Sequence, residues 1–362
     1  MMGCFDWFRY QTHRTEQSQC PAPHAKSLAK SLSSTSSVAE SAMDSTVADV
    51  DSASSTCFTC ARLNSSTFRI VEADKYGEFP FIYVKVYDTV IVLIDTGCGG
   101  AARDPGVQLT SLRGFIETYP VEDNHSTPLN AGGSRSYVVV CTHCHYDHIG
   151  AIAHFTDAPK SSIWASNHDR AFIENDLPTS SLCRFVGMET PRYEVTDWAA
   201  DAQSIVSAGK DLGLTIYHTP GHTPDELAVW DQQERVLYVG DTLYETAPIL
   251  FSLSGNLGDY AATLRKLRLL VDGWNKGRTE GDLVSMACGH CTQNTPAAEF
   301  LYEAESFFDK IRRGLVSPID KGTTPGRNIP LVGFYREDGW FSFVGPKDLF
   351  DRFRQGEDAL NI

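Results

Sequence analysis

Short apolar runs closed by turn-forming residues recur along the chain from residue 68, and stretches of helical period separate them. Phe68–Val71, Phe81–Tyr87 and Val90–Ile94 read as strands, the last two joined by a tight turn at Asp88-Thr89. Further strands are predicted at residues 137–141, 162–165, 214–218, 227–230, 236–239 and 283–287. Helices are predicted over 106–118, closed by Pro120, and from Asn167. Another follows Gly-Asn-Leu-Gly (255–258), where Tyr260, Leu264, Leu267 and Val271 form one stripe and Arg265, Lys266 and Arg268 face away. Thr295-Pro296 opens a helix to about Arg313. Residues 331–335 and 340–344 form a hairpin turned at Glu337-Asp338-Gly339, and a short helix closes the chain. Residues 121–135 read as a polar loop, and the poorly patterned stretch to about 210 as a lid or irregular insertion. Strands and helices alternate in two similar halves, which predicts an α/β chain of two mixed sheets, each covered by helices.

The first 56 residues break this pattern. Eleven of the 29 positions from Ser27 to Ser55 are serine, too little apolar surface to offset chain entropy. We therefore divide the chain into a disordered Ser-rich leader (1–56), a catalytic domain (57–320) and a C-terminal hairpin and short helix packed on it (321–362).

The formal net charge of −15 opposes a nucleic-acid partner and suits a small molecule. No apolar run approaches the ~20 residues that span a bilayer, and no basic segment precedes an apolar one at the N-terminus. Six of the ten cysteines form C-x-x-C pairs (57/60, 141/144, 288/291). Two pairs flank a histidine at a predicted strand end, so they read as compact packing neighbours rather than a zinc ribbon. Unpaired thiols suit a reducing, cytoplasmic setting. The oligomeric state is left open.

The chemistry concentrates at strand ends. Residues 142–150 read Thr-His-Cys-His-Tyr-Asp-His-Ile-Gly, which sets His143, His145, Asp147 and His148 directly after a strand. Asp95, His222, Asp241 and His290 each follow another strand. Imidazole and carboxylate donors at a sheet rim suit Zn²⁺. Leaving Asp95 aside, seven donors, five His and two Asp, suffice for two metals sharing a carboxylate and a bridging water. His154, His168 and His218 stand outside this series, and His125 reads as an inert surface residue.

In order and context these residues, with Leu93-Ile94-Asp95-Thr96-Gly97, resemble the metallo-β-lactamase superfamily over roughly residues 65–315. The resemblance implies an αβ/βα four-layer sandwich (the metallo-β-lactamase fold) with two zinc ions on one edge. It implies that His143, His145 and His222 hold one metal, that Asp147, His148 and His290 hold the other, and that Asp241 bridges them. Asp95 would orient a histidine ligand from behind. Asp147 and Asp241 are the expected catalytic residues, Asp147 aiming a metal-bridging hydroxide. Tyr244 is a possible oxyanion donor, although a packed tyrosine reads as well. The pairing of Asp241 with His148 resembles the glyoxalase II, lactonase and acyl-thioesterase branches. Residues 242–249 are similar to acyl-coenzyme A thioesterase-like members. The expected activity is therefore hydrolysis of a thioester, ester or lactone. The alternatives are a mononuclear iron dioxygenase handling persulfides, β-lactam hydrolysis as a side activity, and a metal-stabilised scaffold without turnover.

Overall fold

The computed structural model describes residues 55–157, 161–324 and 327–357. The Ser-rich leader, save its last two residues, lies outside them. Three sheets organise the chain. The first has seven strands in chain order: β1 (Phe58–Arg62), β2 (Thr67–Glu72), β3 (Phe81–Val86), β4 (Val90–Ile94), β5 (Ser136–Val140), β6 (Ser162–Ser166) and β7 (Asp197–Ala199). Its first four strands are antiparallel, and β4 to β7 run parallel. The second is built from β8 (Gln203–Ser207), β9 (Lys210–His218), β10 (Leu227–Asp231), β11 (Val236–Tyr238), β13 (Ser285–Ala287) and β14 (Thr295–Pro296). A third, smaller sheet joins β12 (Pro248–Leu250), β17 (Ser342–Pro346), β16 (Pro330–Tyr335) and β15 (Ile319–Thr323), in that order.

The first two sheets face each other, and side-chain alternation shows how. In β4, Val90, Val92 and Ile94 join the core between the sheets, while Ile91 and Leu93 join the core on the outer face. Leu227 and Val229 of β10 likewise point inward, and Ala228 and Trp230 outward. Strands buried on both faces read as continuous apolar runs, which is why these were legible. Outside the first sheet packs α1 (Leu112–Thr118), through Leu112, Phe115 and Ile116. Outside the second pack α6 (Leu257–Asn275), α7 (Ala297–Arg312), α8 (Lys347–Gln355) and the third sheet. The result is the expected four-layer αβ/βα sandwich. The Tyr260–Val271 stripe is the buried face of α6.

Some elements differ from expectation. The first helix is shorter, because Ser111 caps it through Gly114 N and Asp104 holds a turn at Gly106. Residues 58–62 form a strand that places Phe58 and Cys57 in the outer core. The stretch after β6 contains α3 (Arg170–Glu174), α4 (Leu177–Ser180), α5 (Cys183–Val186) and the edge strands β7 and β8. The hairpin of β16 and β17 belongs to the third sheet, whose β12 is too short to show a period.

Far from the strand ends that carry the donors, Lys85 of β3 and Asp231 of β10 form a fully buried ion pair at 2.6 Å. It joins the two facing sheets.

Candidate metal centre

Parallel register brings the donors to one edge. β4 and β5 run together, so Asp95 and the 142–148 segment leave the first sheet side by side. In the second sheet β9 and β11 are both antiparallel to β10, and β13 is parallel to β11. Their shared direction delivers His222, Asp241 and His290 to the facing edge. A short helix, α2 (Tyr146–Ile149), carries Asp147 and His148, its turn closed by the His145 carbonyl.

Local backbone chemistry fixes each loop. Gly221 has φ +147°, and a Cβ there would lie 2.5 Å from the Tyr260 Cα, so only glycine lets the His222 loop rest on α6. The start of α6 holds that loop through Asn256 N to Gly221 O (2.8 Å) and Thr263 Oγ1 to Pro220 O (2.8 Å). Gly289 N donates to Gly240 O at 2.7 Å, tying the Asp241 and His290 turns together.

The seven donors meet as two groups: His143, His145 and His222; and Asp147, His148, Asp241 and His290. All are buried. In the first group His145 Nδ1 lies 3.0 Å from His143 Nε2 and 3.1 Å from His222 Nε2. One proton on His145 Nδ1 can serve only one of these contacts; a cation serves both. In the second group His290 Nε2 stands 3.2 Å from Asp147 Oδ2 and 3.5 Å from Asp241 Oδ1. His148 Nε2 stands 3.6 and 3.4 Å from the same two oxygens. A tetrahedral zinc ion with donors at about 2.0–2.1 Å has donor–donor edges of about 3.3–3.4 Å, and these spacings bracket that value. Asp241 faces both groups, since its Oδ2 lies 3.9 Å from His222 Nε2. Three further features suit cations. His148 Nε2 and Asp241 Oδ1, which face into the second group, are buried without a hydrogen-bond partner. A Cβ on Gly289 would sit 2.5 Å from Asp241 Oδ1, so glycine keeps the second group open. The donor set itself, imidazole and carboxylate, is that of zinc.

Asp95 reaches both groups. Its Oδ2 accepts His148 Nδ1–H at 2.8 Å and the Thr142 hydroxyl at 2.8 Å. That hydroxyl oxygen in turn accepts His143 Nδ1–H at 3.2 Å. In the neutral form that can bind a cation, both rings therefore keep the proton on Nδ1 and leave Nε2 bare toward the cluster. Asp95 sits at φ +65°, a conformation aspartate tolerates better than most residues. His290 Nδ1 donates to the Glu78 carbonyl at 2.9 Å.

The two groups differ in proton affinity. Burial and neighbouring histidines hold His143 well below its ordinary range, and burial lowers His145 to about 3 and His222 as well. In the second group burial opposes charge, yet Asp241 and Asp147 overcome it. They raise His148 well above its ordinary value and His290 to about 9. Both carboxylates are held low by those imidazoles, against the cost of burial.

Tyr244 packs its ring 5.6 Å from that of His290, and its hydroxyl donates to Pro248 O at 3.3 Å. His218 bonds the Ala199 carbonyl, and His125 is an exposed residue in a turn. Sequence reading passed over Thr142, Glu78 and Asp74. Only Asp74 left a trace, as an aspartate opening the turn Asp-Lys-Tyr-Gly.

A family model described as the metallo-beta-lactamase superfamily matches residues 78–273. Among curated proteins, "Putative transcription factor avaE" of Aspergillus versicolor is 34% identical over 294 residues, 80% of this chain and 86% of that protein. Acyl-coenzyme A thioesterase MBLAC2 of Gallus gallus is 26% identical over 183 residues, 47% of this chain and 62% of that protein. Hydroxyacylglutathione hydrolase GloC of Haemophilus influenzae is 28% identical over 108 residues, 30% of this chain and 50% of that protein. Buried imidazole and carboxylate donors at one edge of an αβ/βα sandwich, all but His290 within a match that spans over half the sequence, make this chain a member of the metallo-beta-lactamase superfamily.

Proposed function

We propose that the protein is a binuclear zinc-dependent hydrolase of an acyl thioester, ester or lactone, with acyl-coenzyme A thioesters as the leading class. The observation that carries this reading is the pair of donor groups sharing Asp241. His143, His145 and His222 would hold one zinc, and Asp147, His148 and His290 the other, with Asp241 between them. Bound zinc would supply a water of lowered pKa as nucleophile and would polarise the acyl carbonyl. Asp147 would accept a hydrogen bond from that water and so aim it. Asp95 fixes the rings of His148 and, through Thr142, of His143. His145, Asp147, Asp241 and His290 keep only 6–7% of their surface exposed, so a substrate would reach the donors over a small area. For Tyr244 to act as an oxyanion donor, its hydroxyl would have to leave the Pro248 carbonyl.

Two distant relatives named as a thioesterase and a hydroxyacylglutathione hydrolase support a thioester substrate. The relative named as a transcription factor suggests gene regulation, but a net charge of −15 does not favour contact with DNA phosphates. An iron dioxygenase of the same fold is less well supported, because the second donor group is complete. Residues 57–320 are the proposed catalytic unit, with 321–362 packed on it and the leader dispensable. Cys57, Cys60, Cys98, Cys141, Cys144, Cys183 and Cys288 carry free thiols, which fit a cytoplasmic setting, whereas Cys291 is disulfide-bonded, against the expectation of an unpaired thiol, and does not. Among the described residues no helix is long and apolar enough to cross a membrane.

The test is metal analysis of the purified protein, followed by turnover of acyl-coenzyme A, S-lactoylglutathione, homoserine lactones and a chromogenic cephalosporin. Two zinc ions per chain with thioester turnover supports the reading. One iron per chain, or tight zinc with no turnover of any of these, refutes it.

A further inference from the structure

We propose that the loop from Asp74 to Phe79 sets the affinity of the second donor group for its metal, with Asp74 and Glu78 as positioning residues. This deepens the reading above and rests on it. Asp74 is fully buried, and its carboxylate gathers four backbone N–H groups. Oδ1 accepts from Tyr76 (2.7 Å), Gly77 (2.8 Å) and Glu78 (3.3 Å), and Oδ2 from Phe79 (2.7 Å). No cation pairs with it among the described residues; the loop's own amides neutralise it. A carboxylate bound this way holds the loop in one shape.

The loop then spends that rigidity on Glu78. Its carbonyl takes His290 Nδ1–H, which leaves Nε2 bare toward Asp147 and Asp241. Its carboxylate takes the hydroxyl of Tyr146, the residue between His145 and Asp147. One residue thus grips the backbone neighbour of Asp147 and the ring of His290, which come from opposite sheets. The chain just beyond continues the grip. Phe81 N donates to Gly289 O at 2.8 Å, and the Tyr83 hydroxyl to Cys288 O at 2.6 Å. No hydrogen bond joins the loop to His143, His145 or His222 among the described residues. The first group is touched only through the peptide bond from Tyr146 back to His145, so loosening the loop weighs more on the second metal than on the first.

The experiment uses full-length apoprotein, with Zn²⁺ titrated against a chromophoric chelator and Co²⁺ absorption as a second readout. The variants are Asp74→Asn, Glu78→Ala, Glu78→Gln, Tyr146→Phe, and Glu78→Ala with Tyr146→Phe. Asparagine keeps one acceptor but turns an amino group toward Phe79 N–H. We expect Asp74→Asn, Glu78→Ala and Tyr146→Phe to weaken the second zinc about 10-fold and leave the first within about twofold. Glu78→Gln keeps an acceptor for Tyr146 and should restore most of the affinity. The double variant should be no weaker than the worse single, because both remove one bond. Glu78 is only partly buried, so its variants remain informative if Asp74→Asn does not fold. Equal losses at both metals, or unchanged affinity at both, overturn the proposal. A wild type that takes up fewer than two zinc ions overturns instead the ligand reading beneath it.

Discussion

The unequal proton affinities of the two donor groups predict that the two metals respond differently to pH. His290 is held protonated up to about 9, and His148 is also raised, so both imidazoles are charged at neutral pH in the metal-free protein. A cation entering there must displace those protons. For His290 alone, two pH units below its midpoint cost about 2.7 kcal/mol, about 100-fold in apparent affinity. The sign follows directly: the second zinc binds more tightly as pH rises toward 9, by at least about 10-fold per unit, and His148 steepens the slope. His143, His145 and His222 are neutral at pH 7, so the first zinc should change little between pH 6 and 8. Calorimetric titration of apoprotein at pH 6, 7 and 8, in buffers of different ionisation enthalpy, gives both affinities and the protons released. We expect close to none with the first equivalent and, with the second, about two at pH 6, rising toward three at pH 8 as the bound water ionises. Equal pH slopes for both equivalents, or a second equivalent that releases no proton, would refute the argument.

Other consequences are more local. His145→Ala and Asp147→Ala should abolish hydrolysis while leaving the circular dichroism spectrum near wild type; near-normal turnover by Asp147→Ala would remove it from the mechanism. Gly289→Ala puts a methyl group 2.5 Å from Asp241 Oδ1, so metal analysis should find about one zinc rather than two, with activity falling at least 100-fold. Lys85→Ala strands the buried Asp231 carboxylate and should cost about 3–5 kcal/mol in denaturant unfolding. A loss below about 1 kcal/mol there would show that Asp231 is satisfied by the Gln233 and Glu234 amides.

The donors were legible because each ends an apolar run, and such runs are local. Which strand ends meet is not local. The shared direction of β9, β11 and β13 depends on pairing that reaches 49 positions along the chain, as Val236 of β11 meets Ser285 of β13. Asp95 could be read as a supporting residue from its own strand end, yet its path through Thr142 to His143 needed coordinates. Glu78 left no signal, since its contacts with Tyr146 and His290 lie 68 and 212 positions away. The third sheet escaped notice for a different reason. β12 has three residues and shows its character only when β17 returns beside it nearly a hundred positions later.

The ion pair of Lys85 and Asp231 gives the sandwich a permanent rivet at one margin. The opposite margin is fastened differently. His143, His145, Asp147 and His148 stand on one slab, and His222, Asp241 and His290 on the other, so captured cations stitch the slabs together. Stripping them with a chelator would free that seam while the rivet holds, and amide exchange should quicken first along residues 142–148, 219–224 and 288–292.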